Sequence, residues 1–305
     1  MQENAQTKQK LFAVIKDDME SVNTNIHPTA IIEDGAVIED GVKIGPYCIV
    51  GKDVVLKRNV VLKSHVVVTG KTTIGEGTEI YEFAVIGEIS NDMKYYKSKE
   101  YTDLKIGKNC VIRESCTIHM GTPKTFYEAG MMSQKARVDE KQQATGTVIG
   151  DNVVLLQYVH VGHDCVIGDN VLASAYCKFA GEVYVKDFAI VSGDVSVAQF
   201  CTIGKGAFIT GSSGVLSDVP PYCLGEGYNP FRLRGLNLVG LKRANVPDEE
   251  IRILKNFYRD LFMSKEGVFK DRLARVKAEY SKYAKPNEIL QFIEHDCRRS
   301  LTPAS

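Results

Sequence analysis

The chain has 305 residues, with 38 basic and 38 acidic side chains. That balance excludes the basic excess of a nucleic-acid-binding surface. No apolar run approaches the roughly 18 residues a membrane-spanning helix needs, so no stable membrane insertion is expected.

Residues 1–24 are polar apart from a short apolar patch at 11–15. They lack the apolar core and small-residue cleavage site of a secretory signal, and their acidic residues argue against a transit peptide. They read as an N-terminal extension of a cytoplasmic protein, helical or disordered.

From Ile26 an aliphatic residue returns at every sixth position: Ile32, Ile38, Ile44, Val50, Leu56, Leu62, Val68, Ile74, Ile80 and Ile86. Ile106, Ile112 and Ile118 form a shorter run. A third covers Ile149, Leu155, Val161, Ile167, Ala173, Phe179, Val185, Val191, Val197, Ile203, Ile209 and Val215. Six is neither the helical period nor a simple alternation, so each hexad reads as a short strand plus a corner. A small residue such as Cys48, Thr78, Ala84, Cys165 or Ala207 stands four places after most of the aliphatics. It lies two before the next aliphatic, so both point inward. Three hexads close a triangular coil, and stacked coils make a parallel β-helix over residues 25–221. Some nine coils at about 4.8 Å each give a prism about 40–45 Å long.

Two polar stretches break the period, residues 88–103 (EISNDMKYYKSKEYTD) and 123–146, and read as loops thrown out of the coils. Loops longer than about 12–15 residues in a compact solenoid are usually functional or disordered. Pro220 and Pro221 are expected to stop the coils, leaving a linker at 222–245. From 246 to 305 the period becomes helical. Pro247 and three acids open the first helix, followed by Ile251, Leu254, Tyr258, Leu261 and Phe262. Leu273, Val276 and Tyr280 mark a second helix, and Ile289, Leu290 and Ile293 a third.

The chain has eight cysteines. Cys48, Cys110, Cys116, Cys165, Cys177 and Cys201 occupy the small inward slot, and there is no CxxC. They read as core filler in a reducing compartment.

His160, His163 and Asp164 flank the inward Val161 and Cys165, so they lie outside the prism or at a corner. Residues 18 apart stack, which puts Gly181 on His163, Glu182 on Asp164, and Gln199 one coil further. A histidine beside an aspartate and a glycine has the parts for acyl transfer. The imidazole takes a proton from an attacking hydroxyl, the carboxylate sets its tautomer, and a backbone N–H stabilises the oxyanion. On spacing alone a merely solvated histidine fits as well. Zinc chemistry of the γ-carbonic-anhydrase kind would need His119, His160 and His163 to converge, and their spacing does not match that site; no metal is expected. A non-catalytic scaffold is the other alternative.

Several segments carry a resemblance: IGPYCIVG (44–51), LKSHVVV (62–68), EIYEFA (79–84), IRESCTIH (112–119), HVGHDC (160–165), DVPPY (218–222) and GLKR (240–243). Together they resemble the UDP-N-acetylglucosamine O-acyltransferase family, from about Asn25 to the C-terminal helices. The resemblance implies a left-handed parallel β-helix of hexapeptide repeats with a small C-terminal α-helical domain. It implies transfer of a 3-hydroxyacyl group from acyl carrier protein to the 3-hydroxyl of a UDP-sugar, beginning lipid A synthesis. The acyl-carrier-protein phosphopantetheine thioester is then a co-substrate, and no cofactor is needed.

By position, His163 matches the general base, Asp164 its orienter and Gly181 the backbone donor. Gln199 matches a polar contact, and His119 another active-site histidine; His160 joins them. Asn91, Asp92 and Lys94 match a loop reaching the sugar and its diphosphate from an adjacent subunit. Asn237 and Arg243 match the nucleotide-binding stretch, and Gly211 the end of the acyl channel.

The chain departs from the pattern where better-known members have histidines, at Glu182 and Ala198. It departs again at Val239 and Ala244, where an acid and a second arginine are usual. Arg232 and Arg234 are extra linker cations. A 3-amino UDP-sugar acceptor is the alternative these departures leave open, since Glu182 would attract an ammonium. Residues of one site fall on distant coils and an extruded loop, which one prism is not expected to gather, so a homotrimer with sites between subunits is expected.

Overall fold

The computed structural model describes residues 24–93, 102–123 and 146–304. The N-terminal extension, Lys94 and nearly all of the 123–146 insertion lie outside the described residues.

Each hexad supplies a short strand and a corner. Val61–Leu62 pairs in parallel with Glu79–Ile80, and His160–Val161 with Lys178–Phe179, both at the 18-residue register. Among the described residues the strands form three sheets, of eleven, nine and eight strands. Their sides enclose a left-handed parallel β-helix that carries a small helical domain at its C-terminal end. Leu56, Ile80, Ile112, Leu155, Phe179 and Ile209 are fully buried along its axis.

The small inward cysteines do more than fill volume. Cys48 donates to the Lys63 carbonyl at 2.8 Å, Cys116 to Leu156 at 3.1 Å, Cys165 to Ala180 at 3.1 Å and Cys177 to Ser192 at 3.0 Å. Each thiol satisfies a corner carbonyl that the ladder leaves over, as Thr78 does for Gly107 at 2.8 Å. Burial pushes the Cys116, Cys165 and Cys201 thiols up to about 12, so they stay protonated donors.

The corners share a second regularity. The residue three places after the inward aliphatic often adopts a left-handed conformation: Tyr47 (φ 58°), His65 (φ 59°), Phe83 (φ 63°), Asp164 (φ 58°) and Glu182 (φ 60°). Asparagine and aspartate tolerate that region, whereas aromatic residues pay roughly 1–2 kcal/mol there. Stacking along the corner offsets part of it. Tyr47, His65 and Phe83 form a ring ladder at 5.0 Å centroid spacing, and Tyr158 lies 5.0 Å from Tyr176 with the rings 5° from parallel.

Both excursions leave the prism at one corner. The first departs after the strand Val85–Glu88 and returns at Asp103–Ile106; the second departs after Thr117–His119 and returns at Gly146–Ile149. The departing strands belong to one sheet and the returning strands to another. His163 and Asp164 stand at this same corner, between His160–Val161 and Val166–Ile167.

The first sheet does not stop at Pro220–Pro221. Cys223–Glu226 adds in parallel to Phe208–Ile209 and then pairs antiparallel with Arg232–Leu236. The prolines sit at a corner, where no ladder N–H is required.

The three expected helices follow, preceded by a short one within the 222–245 stretch. Helix α1 (Leu238–Arg243) is short, and α2 (Asp248–Tyr258) begins behind Pro247 with three acids in its first turn. Helices α3 (Phe269–Tyr280) and α4 (Ala284–Gln291) pack on α2 through Leu254, Phe257, Val276, Ile289 and Leu290. The bundle rests on its own prism: Tyr258 joins the prism core, Lys205 pairs with Glu288 at 3.3 Å and Lys186 with Asp296 at 3.3 Å. The chain end then returns to the coils, where Leu301 bridges to Asp218 and Ala304 to Leu233. No helix among the described residues is long and apolar enough to cross a membrane.

Candidate active site

A depression of 350 Å³ opens at the corner where both excursions leave. Asn91, Asp92, His160, His163, Gly181 and Gln199 line it, together with Lys178 and Ser196. Six of the sequence-predicted residues therefore meet in one chain. Asn91 and Asp92, at the start of the first excursion, line the depression of their own chain beside His163. A larger open depression of 650 Å³ lies among the N-terminal coils. Four of its charged side chains pair with one another, Lys57 with Glu39 at 2.8 Å and Arg58 with Glu76 at 4.0 Å, and its lining includes no histidine.

The imidazole of His163 lies outside the coil core, as its place in the hexad requires, yet it is only 3% exposed. Its Nδ1 lies 2.9 Å from Asp164 Oδ2. A carboxylate only accepts, so Nδ1 carries the proton and Nε2 keeps the lone pair. Asp164 is itself held: Thr122 donates to it from its backbone N–H at 3.0 Å and its hydroxyl at 2.5 Å, and the Asp164 N–H donates to Thr147 Oγ1 at 2.8 Å. The Thr122 donors hold the carboxylate in one orientation, and with it the imidazole plane.

Nε2 points at Gly181. A Cβ built on that glycine would lie 2.3 Å from Nε2, so no side chain fits there. The ladder bonds on either side are Ala180 N–H to Val197 O at 3.1 Å and Glu182 N–H to His163 O at 2.8 Å. Among the described residues the ladder passes over the Gly181 N–H, leaving it beside the base. A lone-pair nitrogen and a backbone donor thus share one small space, an arrangement suited to deprotonating a hydroxyl and receiving an oxyanion.

His160 and His119 form the adjoining wall, ring centroids 5.2 Å apart and edge to face. His160 Nδ1 is 2.8 Å from Thr117 Oγ1, and His119 Nδ1 bonds the Ile89 carbonyl. Burial, aided by His119, pulls the His160 pKa down to about 4, so His160 is neutral near pH 7. Among the described residues no three His, Cys, Asp or Glu stand close enough to hold a metal ion.

The remaining predicted residues lie elsewhere. Asn237 caps α1, accepting from the Gly240 N–H at 2.9 Å, and donates to the Gly206 carbonyl at 3.0 Å. In this chain its polar atoms fasten the helix to the coils. Arg243 is exposed in the last turn of α1. Gly211 lies exposed at another corner, stacked on Gly193, whose carbonyl would be 3.2 Å from an added Cβ. Arg234 pairs with Glu226 at 3.2 Å, and Arg232 donates to the Phe231 carbonyl at 3.3 Å.

Glu182 does not act as a second free carboxylate beside the base. Its Oε2 forms an ion pair with Arg298 at 3.0 Å, and both side chains are almost fully buried. Sequence reasoning missed Arg298 because nothing in the repeat places the chain end on this coil. Thr122 was missed because it stands where the chain leaves the repeat. Thr147 was within reach, since it fills the inward slot 18 residues before Cys165.

Stacked hexads, a corner histidine held by an aspartate and a glycine against its Nε2 define a hexapeptide-repeat transferase. The family model described as bacterial transferase hexapeptide (six repeats) matches residues 23–58 and 146–172. That described as UDP N-acetylglucosamine O-acyltransferase, domain 2, matches 218–302. An acyl-(acyl-carrier-protein)–UDP-N-acetylglucosamine O-acyltransferase of Sinorhizobium fredii is 41% identical over 280 residues, 92% of this chain and 96% of the relative. One from Aliarcobacter butzleri is 44% identical over 78% of this chain and 84% of its own length. The solved Francisella novicida UDP-N-acetylglucosamine acyltransferase superposes with a TM-score of 0.81 at 34% identity, covering 91% of this chain and 94% of that one. The chain belongs to the acyl-(acyl-carrier-protein)–UDP-N-acetylglucosamine O-acyltransferase family.

Proposed function

We propose that this acyltransferase moves a 3-hydroxyacyl group from acyl carrier protein to the 3-hydroxyl of UDP-N-acetylglucosamine, the opening step of lipid A synthesis, in the cytoplasm. The observation that carries the reading is the Asp164–His163 pair at 2.9 Å, with Nε2 turned to Gly181. His163 Nε2 takes the proton as the sugar oxygen attacks the thioester carbonyl. The Gly181 N–H receives the oxyanion of the tetrahedral intermediate. Its collapse breaks the C–S bond, and the proton on Nε2 leaves with the carrier thiol. Asn91, Asp92, His119, His160 and Gln199 hold the acceptor, with Lys94 added from the same loop.

Glu182 favours the hydroxyl acceptor. With Arg298 against it, the carboxylate offers little to the ammonium of a 3-amino sugar. Asn237, Arg243 and Gly211 lie away from the depression, and the apolar rings of Tyr158 and Tyr176 are each 51% exposed at another corner. Both features support a homotrimer in which a neighbour completes the nucleotide and acyl subsites.

The experiment is mass spectrometry of the product made by purified protein offered both acceptors and a series of 3-hydroxyacyl carrier thioesters. Acylated UDP-N-acetylglucosamine is the expected main product, and Gly211→Met is expected to shorten the preferred chain. A hundredfold preference for the amino sugar would overturn the acceptor assignment. Identical donor ranking in Gly211→Met would remove Gly211 from the channel.

A further inference from the structure

Glu182 occupies a position where the family pattern has histidine, and the fold supplies it with a counter-ion from the far end of the chain. Arg298 Nη2 lies 3.0 Å from Glu182 Oε2, and Nη1 donates to the Glu182 carbonyl at 2.6 Å. The guanidinium also covers the Tyr184 ring, 4.0 Å from its centroid. Side-chain exposure is 7% for Arg298 and 10% for Glu182, so solvent screens this pair weakly.

The tail that brings Arg298 is itself fastened. Asp218, fully buried, accepts from the Arg298 and Arg299 N–H groups at 2.6 Å each and from the Thr202 N–H at 2.6 Å. Thr302 N–H bonds the Asp218 carbonyl at 2.9 Å, and Arg299 donates to the Gln199 carbonyl at 2.9 Å. The tail therefore grips two successive coils at the corner above His163. Glu182 follows Gly181 in the chain, and its N–H donates to the His163 carbonyl at 2.8 Å. Any movement of Glu182 is passed to the base and to the oxyanion donor together.

The charges around the base come from several elements. Asp164 contacts it directly; Glu182 lies on the next coil and Arg298 on the tail. Tyr184 and Cys165 lie within the field of all three. His160, Lys178 and Asp92 stand on the other wall of the depression. Removing either member of the Glu182–Arg298 pair would leave a buried charge without its counter-ion near one imidazole.

From this geometry we infer that Arg298 is a positioning residue of the active site: it cancels the charge of Glu182 and holds the Gly181–Glu182 corner against His163. The inference rests on His163 being the base.

The test compares kcat/KM against pH, with 3-hydroxyacyl carrier protein and UDP-N-acetylglucosamine, for Arg298→Met, Glu182→Gln and the double variant, with His163→Ala as a control. Arg298→Met leaves a carboxylate that favours the imidazolium, so the acidic limb moves up by about one pH unit and kcat/KM on that limb falls by up to about tenfold. Glu182→Gln leaves a cation, so the limb moves down. The double variant, with both charges gone, returns the limb close to the wild-type position. KM for the sugar changes little throughout, which separates this role from substrate binding. Should Arg298→Met fail to fold, the downward shift in Glu182→Gln and the restored limb of the double variant decide the matter. Unmoved limbs, or single variants shifting in the same direction, would overturn the inference. Full turnover by His163→Ala would instead overturn the assignment of the base, a result the two charge variants cannot mimic.

Discussion

Tyr158 and Asp164 occupy the same place in successive hexads, both left-handed, with φ of 60° and 58°, yet one stacks on a neighbouring ring and the other orients a base. Tyr158 stacks on Tyr176 at a corner with no excursion and stays half exposed. Asp164 stands where the chain twice leaves the prism, and Thr122, from the edge of the second excursion, binds it through two donors. The repeat decides where a side chain sits. A departure from the repeat supplies the donors that hold it, and so decides what it can do.

The contrast between corners breaks most sharply at glycine. Gly181 and Gly193 both stand two residues after an inward apolar residue, Phe179 and Val191. A Cβ at Gly181 would lie 2.3 Å from His163 Nε2, whereas at Gly193 the nearest atom is the Ala175 carbonyl oxygen at 3.5 Å. Gly181→Ala is therefore expected to lower kcat by about 100-fold or more, comparable to losing an oxyanion donor. Gly193→Ala is expected to leave kcat near wild type, as steady-state assays of both variants will show.

The aspartate and tyrosine separate the same way. Asp164→Ala removes the fixed tautomer and is expected to lower kcat at least tenfold, with KM for the acyl donor little changed. Tyr158→Ala is expected to keep kcat while costing about 1 kcal/mol of stability through lost ring stacking, read by chemical denaturation.

A smaller effect concerns pH. His160 has its pKa depressed from 6.5 to about 4 in the folded state, chiefly by burial. Folding therefore favours its neutral form, and the cost of keeping it neutral grows as pH falls from about 6.5 towards 4. Stability should decline across that window by up to roughly 3 kcal/mol from this group. His160→Gln should flatten the decline in denaturation midpoints measured between pH 7 and pH 4.

Much of this was legible beforehand. The period of six implies the coils, and the 18-residue stacking by itself places Gly181 on His163. The same rule reaches Thr147. It fails wherever a contact ignores the repeat. Arg298 arrives from a tail with no hexad register, and the sequence alone left Glu182 as a bare charge beside the base. Pro220 and Pro221 read as a stop because proline lacks a ladder donor, but at a corner none is needed, so the sheet continues into Cys223–Glu226. His163 also reads as solvated by its outward register; in the structure it is buried and bonded to Asp164, which Thr122 holds from outside the repeat.

The most direct test of the account is the single-turnover rate of acyl transfer from saturating 3-hydroxyacyl carrier protein to UDP-N-acetylglucosamine by His163→Ala, set beside its thermal unfolding curve. Because the imidazole is buried and bonded to Asp164, the variant should lose about 1–3 kcal/mol of stability and remain folded. Its rate should fall by about 10²–10⁴-fold. A folded variant that keeps more than a tenth of the wild-type rate would contradict the claim that this corner supplies the base.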